Sequence, residues 1–519
     1  MRLVFLLVTA LILFQCTPAY DIIIRRGDVN DGLGGPSEIL DIAIHDQKIV
    51  KIAPRIKAKA DLEINAQGQV VCPGFIDLHA HLEPLALYPD AESHIRQGVT
   101  TALGGPDGGS PFPIQTYLDT LSMTGTGLNV GYLIGHNTVR NHVMGLVNRA
   151  PTQVELDSMG VLIGSSIDQG AFGMSTGLKY LPGTFGKTDE IIALARIAAA
   201  KGGIYTSHLR EEGLGLLHAV EEAILIAEEA RIPVVLTHHK VIGQPMWGAS
   251  EKTLAMVDAA RSRGLDVVMD QYPYTASHTG LRVIIPPWAL EGPRDQFAIR
   301  CEDPLLRDSI KRGIIFNIIN DRGGNDLRRI QFAKIDWVPE MTGKTLHDLL
   351  EFRGIEPTVE NGADMVIEIQ LHRGANCIFH VMDDGDVERI MQHPFTMIAS
   401  DGRLTQYGQG HPHPRAYGTF PRVLGHYVRE KRILTLEEAI RKMTSLPAAV
   451  LGLTSRGVLS EGNWADITIF DPEVVKDQAT FEDPHQYPLG INYVIINGTV
   501  AVAEGTFQDV KAGKVLKKE

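Results

Sequence analysis

Cysteine, aromatic residues and positive charge are all scarce in this sequence. Of 519 residues, only four are cysteine and 6% are Phe, Trp or Tyr. So few cysteines exclude a domain that is held together by a disulfide framework. The 62 Asp and Glu residues outnumber the 49 Lys and Arg residues, which gives a net charge of −13. Because no basic stripe offsets this excess, we expect no nucleic-acid partner.

Long hydrophobic runs are also missing, apart from one near the start of the chain. Residues 3–14 form an apolar run that is too short to span a bilayer. We interpret residues 1–19 as a secretory signal peptide that is removed after Ala19. This predicts export to the periplasm or the extracellular space, without a membrane span. Lipid attachment at Cys16 fits less well, because Gln15 precedes it.

What the sequence does contain is a set of histidines at the ends of apolar segments. Residues 73–81 read PGFIDLHAH, so a predicted strand ends in His79 and His81. In a strand, residues i and i+2 point to the same face, and both imidazoles can therefore reach one point. Two imidazoles suit a zinc-type cation, but two ligands alone do not make a site. A pair of surface histidines is the alternative.

Similar strand ends recur later in the chain. His208 and His238 each follow a short apolar segment, and residues 216–231 between them have helical periodicity. Strand, helix and strand in this order form a βαβ unit, which implies parallel neighbours. Asp401 follows another apolar segment, residues 395–400. Four histidines and an aspartate at such strand ends predict a metal site at the top of a barrel. The alternative is four unrelated histidines among the 19 in the chain.

The chain is long enough for a large barrel and a second domain. Eight predicted strands within residues 72–454, with helices between them, indicate an α/β fold of the TIM-like (β/α)8 type. Residues 20–71 and 455–519 contain short strands that cannot bury a core separately, so we predict one small β-sandwich built from both chain ends. About 120 residues separate the last two barrel strands, which predicts an inserted lid at residues 288–375.

Taken in order along the chain, these motifs resemble those of the amidohydrolase superfamily, and most closely those of the N-acyl-D-amino-acid deacylase (D-aminoacylase) family. The matching segments are residues 73–81, 98–101, 173–183, 206–211, 237–240, 270–274, 400–402 and 413–427. The resemblance implies a centre with one or two Zn2+ ions per chain. It implies that His79, His81 and Asp401 bind one metal, and that His208 and His238 bind the other.

The same resemblance implies where the substrate binds. Lys240, Tyr272 and Arg415 are expected to hold the substrate carboxylate, with Tyr180 near the same pocket. Arg415 offers a planar fork that matches a carboxylate through two hydrogen bonds. A surface arginine in a loop is the alternative for this residue.

One departure from the family pattern bears on the metal site. Members of the family carry a metal-binding cysteine after the second strand, where this sequence has Asp107. Lys179, at the end of the fourth strand, stands where many members of the superfamily use a carboxylated lysine to bridge two metals. Either Asp107 or a carboxylated Lys179 is a candidate for the bridging oxygen. An ordinary solvent-facing lysine is the alternative for Lys179.

An amide is a poor electrophile with a poor leaving group, and a metal ion together with a carboxylate addresses both problems. A divalent metal polarises the carbonyl and lowers the pKa of bound water to about 7. Asp401 is the candidate catalytic residue that carries a proton to the departing nitrogen. Together with the resemblance, this predicts a metallo-amidohydrolase that acts on small linear amides and converts N-acyl-D-amino acids to a D-amino acid and a carboxylate.

Three alternatives stay open at this point. The same metal site serves a dipeptidase or a cyclic amidase of the dihydroorotase or hydantoinase type, because substrate choice depends on loops. From another class, the chain could be an inactive barrel that acts as a binding protein. The sequence predicts a small-molecule substrate and makes no prediction of the oligomeric state.

Overall fold

The computed structural model describes residues 19–293 and 295–518. Nearly all of the predicted signal peptide, including Cys16, lies outside these described residues. Among the described residues, no helix is both long enough and apolar enough to cross a bilayer. Three units make up the described chain: a barrel, a sheet built from both chain ends, and a unit inserted into the barrel.

Eight parallel strands form the barrel, which confirms the predicted (β/α)8 fold. Each of the eight strands pairs in parallel with the next one along the chain. The third strand is interrupted at Leu133, and its two halves pair with the second and fourth strands respectively. In chain order the strands are Phe75–Asp77, Val99–Gly104, Asn129–Tyr132 with Ile134–Gly135, Gly173–Gly177, Ile204–His208, Val234–Leu236, Val267–Gln271 and Thr396–Ile398.

The first and eighth strands meet at their carboxyl ends, where the barrel closes. The short segments Ala80–His81 and Gly402–Arg403 pair in parallel there. The backbone N–H of Asp401 donates to the carbonyl of His79 over 2.8 Å, and the backbone N–H of Ser400 donates to Asp77 Oδ1 over 2.9 Å. This closure places Asp401 beside the histidines of the first strand.

Helices cover the outside of the barrel, and apolar side chains fill its amino-terminal half. One cluster takes a buried side chain on or beside every strand: Ile76, Leu103, Leu133, Phe172, Ile204, Val235, Val268 and Met397. The predicted helix between the fifth and sixth strands is present as Leu216–Ala230. The other helices around the barrel are Glu92–Ile95, Ile114–Thr124, His136–Met144, Gln153–Asp168, Thr188–Ala200, Ser250–Ser262, Asp384–Gln392, Arg415–Arg422, Leu436–Met443 and Ser445–Leu451. Because these apolar side chains fill the interior of the barrel, the carboxyl-terminal face is the part of the barrel that can hold a site.

Both chain ends contribute strands to one nine-stranded sheet. The strands are Tyr20–Val29, Glu38–His45, Lys48–Ala53, Ala60–Asn65, Val70–Pro73, Ile467–Phe470, Ile491–Ile496, Thr499–Ala503 and Thr506–Phe507. Lys48, on the edge strand, also forms a bridge to Trp464, just before the first carboxyl-terminal strand. The sheet therefore curls back on itself and encloses an isoleucine-rich core, as a small sandwich requires.

A long insertion separates the seventh and eighth barrel strands. It contains a three-stranded antiparallel sheet of Ser277–Gly280, Ile330–Lys334 and Asn376–Phe379. Its first and last strands lie outside the range predicted from the sequence, so the inserted unit is longer than residues 288–375. The helices of the insertion are Gln296–Glu302, Pro304–Asn317, Leu346–Phe352 and Val359–Leu371, with a π-helical segment at Ile318–Arg322. This unit has its own apolar core.

We predict that Asn497 stabilises the junction between the sheet and the barrel. Its buried amide donates to Asn129 Oδ1 and to the Ala512 carbonyl, both over 2.8 Å, and its backbone lies at φ 48°, in the left-handed region. Asn497→Ala should lower the free energy of unfolding by about 1–3 kcal/mol, because buried partners lose their hydrogen bonds. Denaturant titration measures this. The exposed Asn141→Ala is the control, and equal losses in both variants would contradict the assignment.

Candidate metal centre and substrate cavity

The predicted ligands from the first and eighth strands converge at the top of the barrel. One donor atom each from His79, His81, Asp107 and Asp401 lies within 4.8 Å of the others. The Asp401 Oδ1 atom is 3.2 Å from His81 Nε2 and 3.6 Å from His79 Nε2. Four donors of nitrogen and oxygen type at this spacing are a ligand set suited to a divalent transition metal.

The fifth and sixth strands supply a second group that shares one member with the first. Donor atoms of His208, His238 and Asp107 also lie within 4.8 Å of one another. Each oxygen of Asp107 is near one imidazole of each pair: Oδ1 is 3.5 Å from His79 and 3.3 Å from His238, while Oδ2 is 3.7 Å from His81 and 3.6 Å from His208. The carboxylate of Asp107 thus joins the two groups.

Lys179 does not take part in either group. Its ammonium is 2.8 Å from Glu211 Oε2 and 3.5 Å from Asp321 Oδ2. Although burial lowers the pKa of Lys179, the carboxylates of Asp321 and Glu211 raise it above its usual value. These ion pairs do not favour the predicted carboxylated, bridging Lys179, and of the two candidates Asp107 is the residue that lies between the two donor groups.

Three of the ligands have strained backbones. Asp107 lies at φ 54°, His238 at φ 38° and Asp401 at φ 48°. Each of these residues is in the left-handed region, which costs a residue with a side chain about 1–2 kcal/mol. Such residues persist where the surrounding structure enforces them, and they cluster at functional sites. All three lie in the turns that follow barrel strands, two or three residues after the strands end at Gly104, Leu236 and Ile398.

The electrostatics of these side chains fit a bound cation. Burial lowers the pKa of His79 to about 3, so its imidazole is neutral at neutral pH. Burial also opposes the protonation of two other imidazoles, but Glu83 and Asp401 raise the pKa of His81 to about 10, and Asp107 and Glu212 raise the pKa of His238 to about 9. These carboxylates favour a positive charge, which a metal ion would supply in place of the two protons. Burial opposes ionisation of Asp107, but the imidazole of His238 holds its pKa well below 3.8. His79 Nε2 and Asp107 Oδ1 are buried and have no hydrogen-bond partner among the described residues. Buried polar atoms without partners are unfavourable unless a ligand binds them.

Two further carboxylates, those of Glu212 and Asp270, lie beside the histidines. Glu212 Oε1 is 3.3 Å from His238 Nδ1, and Glu212 Oε2 is 3.8 Å from His208 Nε2. Asp270 Oδ1 accepts from the backbone N–H of His238 over 2.6 Å and lies 3.9 Å from His79 Nδ1. Of these ring contacts, that of Glu212 with His238 Nδ1 is the shortest, and a carboxylate in this position fixes the ring orientation of a ligating histidine and raises its basicity. His239, next in the chain, belongs to neither donor group, and its Nε2 lies 2.8 Å from Thr253 Oγ1.

All four residues predicted to contact the substrate line one cavity of about 600 Å3 beside the metal ligands. The Arg415 guanidinium and the Lys240 ammonium lie 4.6 and 5.7 Å from the centre of the Tyr272 ring. The Tyr180 ring is 4.4 Å from that of His208. Each cation already contacts a carboxylate: Arg415 Nη1 is 2.8 Å from Asp401 Oδ2, and Lys240 pairs with Glu212.

Among the charged residues of this cavity that the sequence did not single out, Glu212 and Arg322 contact the predicted site residues or each other. Glu212 lies in the loop four residues beyond His208, the last residue of its strand, so a rule based on strand ends does not reach it. Arg322 belongs to the π-helical segment of the insertion, and no local pattern marks it. Its guanidinium is 3.4 Å from Glu212 Oε2 and donates to Ser277 Oγ over 2.9 Å. Glu212 therefore connects the metal ligands, the substrate lysine and the insertion.

Comparison with known proteins identifies relatives of this chain among the amidohydrolases. A model of the amidohydrolase family matches residues 62–293 and 317–502. The chain is 35% identical to the D-aminoacylase of Alcaligenes xylosoxydans xylosoxydans over 96% of this chain and 98% of that protein. It is 34% identical to the N-acyl-D-glutamate deacylase of the same organism, over 96% and 97% of the two chains.

Solved structures agree with these relatives. A crystal structure of D-aminoacylase superposes with a TM-score of 0.81 at 33% identity, covering 96% of this chain and all of that one. The N-acyl-D-glutamate deacylase of Bordetella bronchiseptica, in complex with zinc and a phosphonate inhibitor, gives the same TM-score and identity over 96% and 99% of the chains. A D-hydantoinase superposes with a TM-score of 0.58 at 16% identity, which reflects a shared fold.

We predict that Asp107 is needed for full metal content and that Lys179 is not. Asp107→Ala removes the only carboxylate that belongs to both donor groups of the described residues, so bound zinc per chain should fall. Lys179→Ala should keep the wild-type content, because the ammonium pairs with Glu211 and Asp321 instead. Elemental analysis after gel filtration measures both.

A second variant separates lost ligation from misfolding at this position. Asp107→Cys keeps a metal-binding atom and should retain more zinc than Asp107→Ala. If Lys179→Ala loses as much zinc as Asp107→Ala, the assignment of the bridge to Asp107 is wrong.

Proposed function

The chain belongs to the amidohydrolase family, and we propose that it hydrolyses N-acyl-D-amino acids to a D-amino acid and a carboxylate. One observation carries the proposal: two metal-ligand groups that share Asp107 lie in the same cavity as Asp401 and a cluster of carboxylate-binding side chains. Such a cavity can fix the acyl carbonyl and the α-carboxylate of one substrate at the same time. The relatives that carry these activities cover nearly the whole chain.

Zinc is the cation we propose for the site. His79, His81 and Asp401 would hold one ion, His208 and His238 the other, and Asp107 would contact both. A divalent ion bound there supplies a Lewis acid that polarises the acyl carbonyl and makes water a stronger acid. The buried, unpartnered donors His79 Nε2 and Asp107 Oδ1 support its presence.

Asp401 is placed to transfer the proton. Burial raises the pKa of its carboxyl, but Arg415 and His81 hold it below 3.8, so Asp401 is ionised at neutral pH and can accept a proton from the attacking water. The proton then goes to the leaving nitrogen, which departs as an amine. The contact of 2.8 Å with Arg415 fixes the orientation of the carboxylate during both steps.

Lys240, Tyr272 and Arg415 are the residues we propose for the α-carboxylate. The Tyr272 hydroxyl is buried and has no hydrogen-bond partner among the described residues, so it is available to a ligand. Burial lowers the pKa of Lys240, while the carboxylate of Glu212, with which the ammonium pairs, counteracts this effect. Once the carbonyl and the α-carboxylate are fixed, the side chain has one direction left, and the site must select one enantiomer.

The same residues argue against a hydantoinase and against an inactive barrel. A cyclic imide lacks the free α-carboxylate that three converging side chains are placed to bind, so a linear substrate fits better than a hydantoin. An inactive barrel would be expected to lose ligands, yet every predicted metal ligand except Lys179 belongs to one of the two groups.

The decisive experiment compares N-acetyl-D- and N-acetyl-L-amino acids on zinc-loaded protein. We expect release of the amine from the D series, loss of this activity after dialysis against a strong chelator, and recovery on addition of zinc. Full activity in protein shown to be free of metal would refute the metal assignment. Equal rates for D and L substrates would refute the stereochemical one.

We further predict that the Tyr272 hydroxyl contributes to substrate binding. Tyr272→Phe should lower kcat/KM for N-acetyl-D-amino acids by about tenfold, because one hydrogen bond to a charged carboxylate is lost. Tyr274→Phe is a matched control, since the Tyr274 hydroxyl is also buried without a described partner but does not line the cavity. Similar losses in the two variants would contradict this role.

A further inference from the structure

Cationic side chains are in excess along the substrate cavity, although the chain as a whole is acidic. Six of them line the cavity, against four carboxylates, Glu83, Asp107, Glu212 and Asp401. Each carboxylate is already engaged: two belong to the metal-ligand groups, Glu212 pairs with Lys240, and Glu83 Oε1 lies 3.3 Å from His81. The surplus positive charge therefore remains available to a substrate.

The six cations form an inner and an outer set. The inner set, Lys240, Arg322 and Arg415, is buried beside Tyr272 and the metal ligands. The outer set consists of Arg282, Lys334 and Arg403, which are exposed to solvent and also line the cavity.

The outer cations have few competing partners. Arg403 Nη1 lies 3.4 Å from Glu83, and Lys334 Nζ lies 3.4 Å from the exposed Asp336. Within residues 19–293 and 295–518, no carboxylate lies within 4.0 Å of the Arg282 guanidinium. Two of the three cations come from the insertion, and Arg403 follows the eighth barrel strand. A solvated ion pair is weak, so a substrate carboxylate can compete with Glu83 and Asp336.

A side pocket of about 150 Å3 opens beside this outer set. Lys334, Asn376, Arg403 and Arg415 line both the pocket and the main cavity, and no carboxylate is among the side chains that line the pocket. His278 lies at the same junction, and its buried Nε2 has no hydrogen-bond partner among the described residues. The space next to the cations can thus hold a substrate longer than an N-acetyl-amino acid.

We propose that Arg282, Lys334 and Arg403 form a second anion subsite, so that the preferred substrates carry a second carboxylate besides the α-carboxylate. This inference rests on the proposed function. The second carboxylate belongs either to the D side chain or to the far end of the acyl group. Both sources present the same chemistry to the outer cations.

The test compares kcat/KM for neutral and acidic members of two substrate pairs. N-acetyl-D-glutamine and N-acetyl-D-glutamate differ in the side chain, while N-butanoyl-D-alanine and N-succinyl-D-alanine differ at the end of the acyl group. We expect wild-type protein to prefer the acidic member of at least one pair by about tenfold, and the pair that shows it identifies the source. High salt should reduce the preference, because the outer cations are exposed.

Variants of the outer cations test whether these side chains cause the preference for acidic substrates. Arg282→Gln and Lys334→Gln should each lower the ratio of acidic to neutral kcat/KM. Arg312→Gln is the matched control, since it removes the same charge from an exposed helix of the insertion that does not line the cavity, and it should leave the ratio unchanged. Equal turnover of acidic and neutral substrates by wild-type protein would overturn the subsite. So would a preference that neither variant changes. If no member of either pair is hydrolysed, the proposed function itself fails.

Discussion

The carboxylate of Asp107 is the interaction on which the centre depends. Four imidazoles approach within 3.3–3.7 Å of its two oxygens, and they come from three different strands of the barrel. Bringing so many donors together in a buried place is costly unless opposite charge compensates them. Asp107 supplies that charge between the two pairs, and Asp401 adds to it from the eighth strand. A cation completes the balance, because the buried donors then gain a partner.

The barrel delivers these groups, while the insertion completes the cavity. Closure between the first and eighth strands fixes Asp401 against His79 by a backbone hydrogen bond, so the proposed base and the ligands form one rigid assembly. From the other side, Arg322 of the insertion contacts Glu212, which in turn contacts Lys240 and His238. A shift of the insertion would therefore reach both the substrate lysine and a metal ligand through one carboxylate. Glu212 thus connects the insertion, which lines the cavity, with the candidate metal ligands.

Sequence reasoning located the barrel and most of the ligands because their signals are local. An apolar segment followed by a histidine or an aspartate marks the end of a strand, and parallel strands bring such ends together. The same rule gives no decision for Lys179: it lies two residues beyond Gly177, and its side chain reaches Glu211 and Asp321. Arg322 could not be found in this way, because its position depends on how the insertion packs rather than on any pattern around it.

The family resemblance implies a thiolate at the position of Asp107, and a carboxylate in its place would change the character of the centre. A thiol must lose its proton to bind a metal, whereas the imidazoles around Asp107 already keep its carboxyl ionised. A carboxylate offers two oxygens and can contact both groups at once, where a thiolate has a single sulfur. Oxygen is also the harder donor, so the site depends less on metals that favour sulfur. Selectivity then has to come from geometry, and the left-handed backbones of Asp107, His238 and Asp401 show how firmly the barrel imposes that geometry on its ligands.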